Sequence, residues 1–304
     1  MTANNLKKRI ISKLEVKGPN LIKGCQFDGL RSLGLAENFS KKYFSEGIDE
    51  IIYQDIISSL YGFEPKYEEI KKISDQIFIP FTVSGGLNNL EQIKKVFASG
   101  ADKIAVNSAA VKKPKLIEEC AKEFGSQSVV SSIDVYTHQN MAKGFRESEV
   151  WINNGKDKTD LDLIKWVKKV YELGAGEILI TLIDSDGMGT GLDLGLVNRI
   201  TEVSKIPIIV SGGIGKAKDV SELFLNTNVD AVSISSLFHY YYLKDFDINP
   251  FKKINKLRMG KNIDIGNYDF INNGYGDEKY LIVDPMSIPN LKKKLKLDNI
   301  EVRL

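Results

Sequence analysis

Five carboxylates stand where they could carry out acid–base chemistry. Glu15, Asp55, Asp134, Asp184 and Asp186 lie at or just beyond the ends of short β-branched runs. Ser84-Gly85-Gly86 and Ser211-Gly212-Gly213 end two other runs, and Asn107-Ser108 and Ser235-Ser236 end the runs after those. Glycine at such a point lets the backbone approach an anion, and the N-terminus of the following helix offers free N–H donors and a positive dipole end. The Ser and Asn side chains add donors. Together these residues suit proton transfer on an elongated ligand gripped by a phosphate at each end. A plainer alternative stays open for Asp184 and Asp186, in Asp-Ser-Asp-Gly: aspartate near a strand end commonly caps the next turn or helix.

Positioning such a set takes many strand ends on one face. Strands are expected at Arg9–Val16, Glu50–Ile56, Phe78–Ser84, Lys103–Asn107, Val129–Val135, Glu177–Ile183, Ile206–Ser211 and Ala231–Ser235. Helical patterns such as Leu90–Ala98 and Asp160–Leu173 lie between them. Strands alternating with helices in this way suit an α/β fold, a (β/α)8 barrel, whose active sites sit at the C-terminal face. A doubly wound open sheet is the alternative. An internal repeat favours the barrel. Pro80-Phe-Thr-Val-Ser-Gly-Gly86 recurs as Pro207-Ile-Ile-Val-Ser-Gly-Gly213, and Ala101–Ala110 recurs as Val229–Phe238. The spacing implies two half-barrels, two phosphate cradles, and Glu15 opposed to Asp134. We therefore expect residues 1–304 to form one barrel domain, with 240–284, rich in Tyr, Asn, Asp, Gly and Lys, as an insertion over the C-terminal face. Ile288–Leu297 reads as a last helix opened by Pro289.

Composition removes other classes. The chain has 304 residues, 42 Lys and Arg against 40 Asp and Glu, and a net charge of +2. That balance argues against a general nucleic-acid binder. No run of eighteen apolar residues suggests a membrane span, and the first residues do not read as a signal peptide. Cys25 and Cys120 make no disulfide framework, and two Cys with two His make a poor zinc set. Neither metal nor organic cofactor is expected, and a reducing cytoplasm is the expected setting.

Several motifs together resemble the cyclase subunit of imidazole glycerol phosphate synthase. They are Lys8-Arg-Ile-Ile, Phe78-Ile-Pro-Phe-Thr-Val with Gly85-Gly86, Lys103-Ile-Ala-Val-Asn-Ser-Ala-Ala-Val, Phe124-Gly-Ser-Gln, Ile133-Asp134, Glu172-Leu-Gly-Ala-Gly-Glu-Ile-Leu, Asp184-Ser-Asp-Gly187 and Ser236-Leu-Phe-His239. The resemblance implies a barrel docked at its N-terminal face on a glutaminase. Ammonia would pass through the barrel and attack a bis-phosphorylated ribulosyl substrate at the other end. It implies a charged ring of Arg9, Glu50, Lys103 and Glu177 gating the entrance, Asp102 touching the glutaminase, Asp134 as a catalytic aspartate and Lys23 as a mobile-loop lysine. It also implies ligand contacts at Asp55, Ser84, Gly85, Gly86, Asn107, Ser108, Asp186, Gly187, Gly212, Gly213, Ser235 and Ser236. Charges pointing into a barrel are costly unless paired, and this ring holds two of each sign. The plainer alternative is that they face solvent.

The family's Cys-Leu-Asp-Val reads Lys13-Leu14-Glu15-Val16 here. Strand alternation puts Lys13 and Glu15 on one face. The lysine is therefore expected to hold the glutamate ionised, which makes Glu15 a poor proton donor. Lys17-Gly-Pro-Asn and Trp151-Ile-Asn-Asn-Gly also depart from the family's loops. An intact entrance beside an altered chemical end resembles the synthase-like paralogues of surface-polysaccharide gene clusters, thought to pass ammonia to an amidotransferase that makes acetamidino sugars. Ammonia delivery of that kind is the first expectation, a histidine-pathway cyclase the second, and a scaffold that only activates a glutaminase the third.

Overall fold

The computed structural model describes residues 6–140, 145–245 and 283–303. Its strands are β1 (Arg9–Lys17), β2 (Asn20–Cys25), β3 (Asp28–Leu35), β4 (Glu50–Asp55), β5 (Phe81–Ser84) and β6 (Lys103–Val106), then β7 (Val129–Asn140), β8 (Phe145–Ile152), β9 (Asp157–Asp162), β10 (Glu177–Leu182), β11 (Ile208–Ser211) and β12 (Ala231–Ile234). Neighbouring parallel pairs run β1-β4-β5-β6-β7-β10-β11-β12, and β12 pairs with β1. The sheet therefore closes into an eight-stranded parallel barrel, as expected.

The sequence explains the barrel directly. Its strands are covered on both faces, so they read as continuous apolar runs; β10, Glu-Ile-Leu-Ile-Thr-Leu, is buried at every residue. The helices between them are amphipathic, with Asn89, Asp162 and Asp193 capping three by accepting from Gln92, Lys165 and Leu196 N–H at 2.8–2.9 Å. Two apolar cores result. The larger lies between sheet and helices. The smaller fills the barrel's interior with Ile11, Ile52, Ala105, Val130, Leu179, Ile209 and Ala231. Interior residues two positions further along each strand are polar: Lys13, Ser132, Thr181, Ser211 and Ser233 are buried, and Gln54 and Asn107 are half-buried. A dry layer thus separates the ring below from the polar mouth above.

Three expectations need correction. Strands do not begin at Phe78 or Ile206: Phe78 is 83% exposed, and Pro80 and Pro207, lacking an N–H, precede the true starts. The irregular stretch does not begin at Tyr240 either. Tyr240 and Tyr242 are buried in the helix Ser236–Tyr242, which packs on the barrel. The rest of the expected insertion, residues 246–282, lies outside the described residues. Finally, two antiparallel hairpins were not expected. β2–β3 follows β1, and β8–β9 extends β7 beyond the barrel rim. The last helix, Ile288–Leu297, is where expected, and buried Lys292 ties it to Gly47 O at 2.6 Å and Asp49 at 2.7 Å.

Candidate active site

At the N-terminal end of the barrel the four ring residues meet as a closed cycle. Arg9 pairs with Glu50 at 3.0 Å and with Glu177, and Lys103 pairs with Glu50 at 3.1 Å and Glu177 at 3.0 Å. Thr82 Oγ1 donates to Glu50 at 2.9 Å. Their places at the first residues of β1, β4, β6 and β10 follow from register, since side chains at strand starts share one rim. Glu50 is 1% exposed and accepts from three groups. Removing it would leave two cations half-paired, so Glu50→Leu is expected to cost about 3–5 kcal/mol in urea unfolding. A cost under about 1 kcal/mol would mean the ring is solvated like a surface pair. Asp102 is exposed beside this rim, yet its carboxylate accepts from Phe81 N–H at 2.9 Å. It caps a strand start in the way Asp49 caps Ile10 and Asp230 caps Ile208.

At the opposite end the carboxylates are divided by their partners. Glu15 Oε1 lies 3.0 Å from Lys13 Nζ, and Glu15 Oε2 accepts from Lys23 at 2.8 Å. Lys23 also donates to Asp186 at 2.7 Å. Lys13, Glu15, Lys23 and Asp186 therefore form one buried chain of alternating charge. Burial alone would push the Glu15 carboxyl up. The ammonium groups of Lys23 and Lys13 outweigh that and hold it down at about 2. Asp134 has no such partner among the described residues; its carboxylate accepts from Asn107 Nδ2 at 2.7 Å. Burial is the largest influence on it and, with Asp186 and Glu15 nearby, outweighs Lys13 and pushes it up to about 7. Two opposed carboxyl groups thus hold their protons differently at neutral pH.

The two cradles form separate clefts. One gathers Ser84, Gly85, Gly86, Asn107, Ser108, Asp55 and Asp134. The other gathers Asp186, Gly187, Gly212, Gly213, Ser235 and Ser236. A third cleft between them holds Glu15 with Asp186, Gly24 and Phe27. Some of these residues hold the frame. Asp55 accepts from Ile57 and Ser58 N–H at 3.0 Å and from Ser58 Oγ at 2.5 Å, so its carboxylate caps the turn that shapes the first cradle. Ser84 Oγ donates to Ala105 O, Ser108 Oγ accepts from Asn153 N–H, and Ser235 Oγ donates to Lys13 O. Asp184 accepts from Thr137 N–H at 3.3 Å. This bond ties the segment after β10 to β7, while Asp186 faces Lys23.

The glycines are required by space as well as by conformation. A Cβ on Gly85, at φ +99°, would stand 2.1 Å from Asp55 O, and one on Gly212, at φ +96°, 2.5 Å from Leu182 O. Gly62, at φ +69°, would meet nothing. Gly62→Ala is therefore expected to cost about 1 kcal/mol of conformational strain. Gly85→Ala should cost clearly more and weaken binding of inorganic phosphate. Equal losses in thermal melts would show that the close approach at Gly85 is unimportant.

Sequence reasoning missed the two hairpins that frame this mouth. The turn residues Gln26 and Phe27 have φ of 52° and 66°. Gln26 N donates to Asp186 O at 2.8 Å, and its Nε2 donates to Asp184 O at 2.7 Å. Phe27 lies against Gly155, where a Cβ would come within 2.8 Å of its ring, and Lys13 Nζ lies 5.8 Å from the ring centre. His239, in the last quoted motif, is core: fully buried, hydrogen-bonded to Tyr43 at 2.6 Å, with its pKa lowered by burial and Lys23 to about 3. Among the described residues no cluster of three or more His, Cys, Asp or Glu could hold a metal ion. No described helix is long and apolar enough to cross a membrane.

Comparison with known proteins adds a family. Residues 9–244 match the model for histidine biosynthesis protein. The chain is similar to the imidazole glycerol phosphate synthase subunit HisF of Petrotoga mobilis, 42% identical over 248 residues, or 80% of this chain and 95% of the relative. It is 39% identical to the same-named protein of Streptococcus mutans over 235 residues, or 77% of this chain and 92% of the relative. The corresponding values for Methanocaldococcus jannaschii are 38% over 262 residues, 82% and 95%.

Proposed function

The chain belongs to the histidine biosynthesis protein family and to its HisF-like branch, and from that membership we propose that it is a cyclase-type synthase subunit acting on a bis-phosphorylated ribulosyl substrate with ammonia. The observation that carries this reading is the division of the mouth. Asp134, with its pKa raised to about 7, shares a cleft with one phosphate cradle, while the charge-locked Glu15, and Asp186 paired with Lys23, stand towards the other. A ligand held by a phosphate in each cradle would stretch across the carboxylates. Such tethering places the reacting carbon and supplies most of the orientation a bimolecular step needs. Ammonia would arrive from a glutaminase docked at the rim around Asp102 and enter past the Arg9–Glu50–Lys103–Glu177 ring. Its nitrogen adds to the substrate's carbonyl carbon, and the carbonyl oxygen takes a proton. Asp134 is the group able to give that proton near neutral pH, and Glu15 is a fixed negative charge.

The comparisons favour this cyclase reading over the ammonia delivery for acetamidino sugars that the sequence put first. One observation keeps the sugar reading as a second proposal: Lys13 pairs with Glu15 inside the barrel, where the family pattern has cysteine and aspartate. Turnover of the ribulosyl substrate by the purified chain with added ammonium tests the first reading. Absent turnover, with glutamine nitrogen passed to a sugar acceptor when glutaminase and amidotransferase are added, would favour the second. A cytoplasmic setting and a single barrel domain belong to either proposal.

A further inference from the structure

One hydroxyl in the second cradle has no task in the protein's own frame. Ser233 is 1% exposed and lines the same cleft as Gly212, Gly213, Ser235 and Ser236. Its Oγ has no hydrogen-bond partner among the described residues. Strand register places it. Ser233 on β12 stands level with Ser211, the residue that opens the Ser-Gly-Gly turn at the end of β11. Alternation from interior Ala231 turns its side chain inward, two residues before Ser235 and just above the dry layer. The hydroxyl of Ser235 is committed, because it donates to Lys13 O at 3.0 Å. That of Ser233 offers one donor and two lone pairs, and burying such a group unpaired is costly.

The internal repeat shows that the fold does not need this oxygen. Ala101–Ala110 recurs as Val229–Phe238, so Ala105 is the first cradle's counterpart of Ser233. The register is the same in both halves: Ala105 stands level with Ser84 as Ser233 stands level with Ser211. Ala105 also lines its own cradle's cleft, is 1% exposed and belongs to the barrel's apolar interior. A methyl group therefore suffices to build this part of the floor. The two cradles share their paired glycines, and at this position the second carries a hydrogen-bonding group where the first carries none.

We propose that Ser233 makes the second cradle selective for a phosphate ester whose carbon chain bears a hydroxyl close to the phosphate: an open-chain polyol phosphate in preference to an alkyl phosphate. This selectivity rests on the proposed function, in which a phosphate ester occupies the cradle. The backbone at Gly212 and Gly213 holds the phosphate, and the ligand's hydroxyl reaches down to Ser233. Each of the two hydroxyls can donate one bond and accept another, so they satisfy each other without any charge. An alkyl chain in the same place would cover Ser233 and leave it unpaired. That penalty is what separates the two esters, as in other sites built to read a hydroxyl.

The test compares glycerol 3-phosphate with n-propyl phosphate on the full 15N-labelled chain by NMR. Both esters carry the same phosphate on a three-carbon chain, and only the first has hydroxyls. The backbone amide signals of Gly212 and Gly213 report on the second cradle, and those of Gly85 and Gly86 on the first. Glycerol 3-phosphate is expected to half-saturate the Gly212 and Gly213 shifts at roughly 3–10-fold lower concentration than propyl phosphate, the worth of one hydrogen bond. Ser233→Ala, which installs the residue the first cradle already carries, should abolish that preference by weakening glycerol 3-phosphate. It should leave propyl phosphate binding at least as tightly and the Gly85 and Gly86 titrations unchanged. Equal half-saturation by the two esters in the parent chain overturns the role of Ser233, and so does a preference that survives in Ser233→Ala. If neither ester moves Gly212 or Gly213, that role falls together with the proposed function. A preference without cyclase turnover would refute the proposed function and not the role of Ser233; turnover without a preference would do the reverse.

Discussion

Asp134→Asn is expected to cut ammonium-dependent turnover by about 10²–10⁴-fold, the usual contribution of a positioned general acid or base. The same substitution should make the protein more stable at pH 8. The carboxyl of Asp134 is pushed up to about 7 from an ordinary 3.8, chiefly by burial. Below pH 3.8 the folded and unfolded forms both hold the proton, so the group has no effect. Between about 4 and 7 the unfolded chain releases it and the folded chain keeps it, so stability falls as pH rises. Above 7 the full cost of an ionised buried carboxylate is present, up to about 4 kcal/mol. Asparagine keeps the shape and can still accept from Asn107 Nδ2, but carries no charge. A gain of about 2–4 kcal/mol at pH 8 that vanishes by pH 4, seen in urea unfolding, would identify Asp134 as a strained functional carboxyl. A loss of stability at pH 8 would show that its charge is already compensated.

Lys23→Met is expected to cost about 3–5 kcal/mol at pH 7, the range for breaking a buried ion pair from one side. Lys23 is 2% exposed and bridges Glu15 at 2.8 Å and Asp186 at 2.7 Å. Without it Glu15 keeps Lys13 as its one ammonium partner among the described residues, and Asp186 loses the ammonium of Lys23. The pH dependence follows from the carboxylate. Glu15 is held at about 2, below its ordinary 4.5, by Lys23 and Lys13 against burial. The stability it contributes is present above about pH 4.5 and lost as pH falls towards 2. The gap between Lys23→Met and the parent should therefore be widest at pH 6–7 and narrow below pH 4. A gap independent of pH would mean that lost packing, rather than lost charge, sets the cost.

Much of this architecture is legible before any coordinates. Eight apolar runs, each buried on both faces, and the doubled Pro-…-Ser-Gly-Gly segments lead to a closed barrel with two cradles. Lys13 and Glu15, two residues apart on one strand, lead to an ion pair on its inner face. The β8–β9 hairpin had a usable signal that went unread: Asn153-Asn154-Gly155 takes φ of 52°, 55° and 68°, the turn chemistry that short hairpins prefer. The β2–β3 hairpin had none, because Gln26-Phe27 is not a sequence that seeks positive φ. Tertiary contacts impose it, through Gln26 on the Asp184–Asp186 segment and Phe27 on Gly155. Asp55 and Asp134 look alike in sequence, each an aspartate ending a strand. Only the fold separates them, by giving Asp55 the N–H groups of Ile57 and Ser58 and leaving Asp134 one amide. The charge bridge from β1 to Asp186 through Lys23 joins residues over 160 positions apart in the chain, beyond the reach of any local pattern.

Working cyclase chemistry at Asp134, despite a locked Glu15, is what we propose for this barrel. It is tested most directly by turnover of the bis-phosphorylated ribulosyl substrate by the purified chain, from pH 6 to 9, with the free ammonia concentration held constant. External ammonia bypasses both the glutaminase and the ring at the barrel entrance. Turnover is expected to decline above a pH near 7, as Asp134 loses its proton. A folded chain with no turnover at any pH would contradict it and leave ammonia delivery to another acceptor as the reading to pursue.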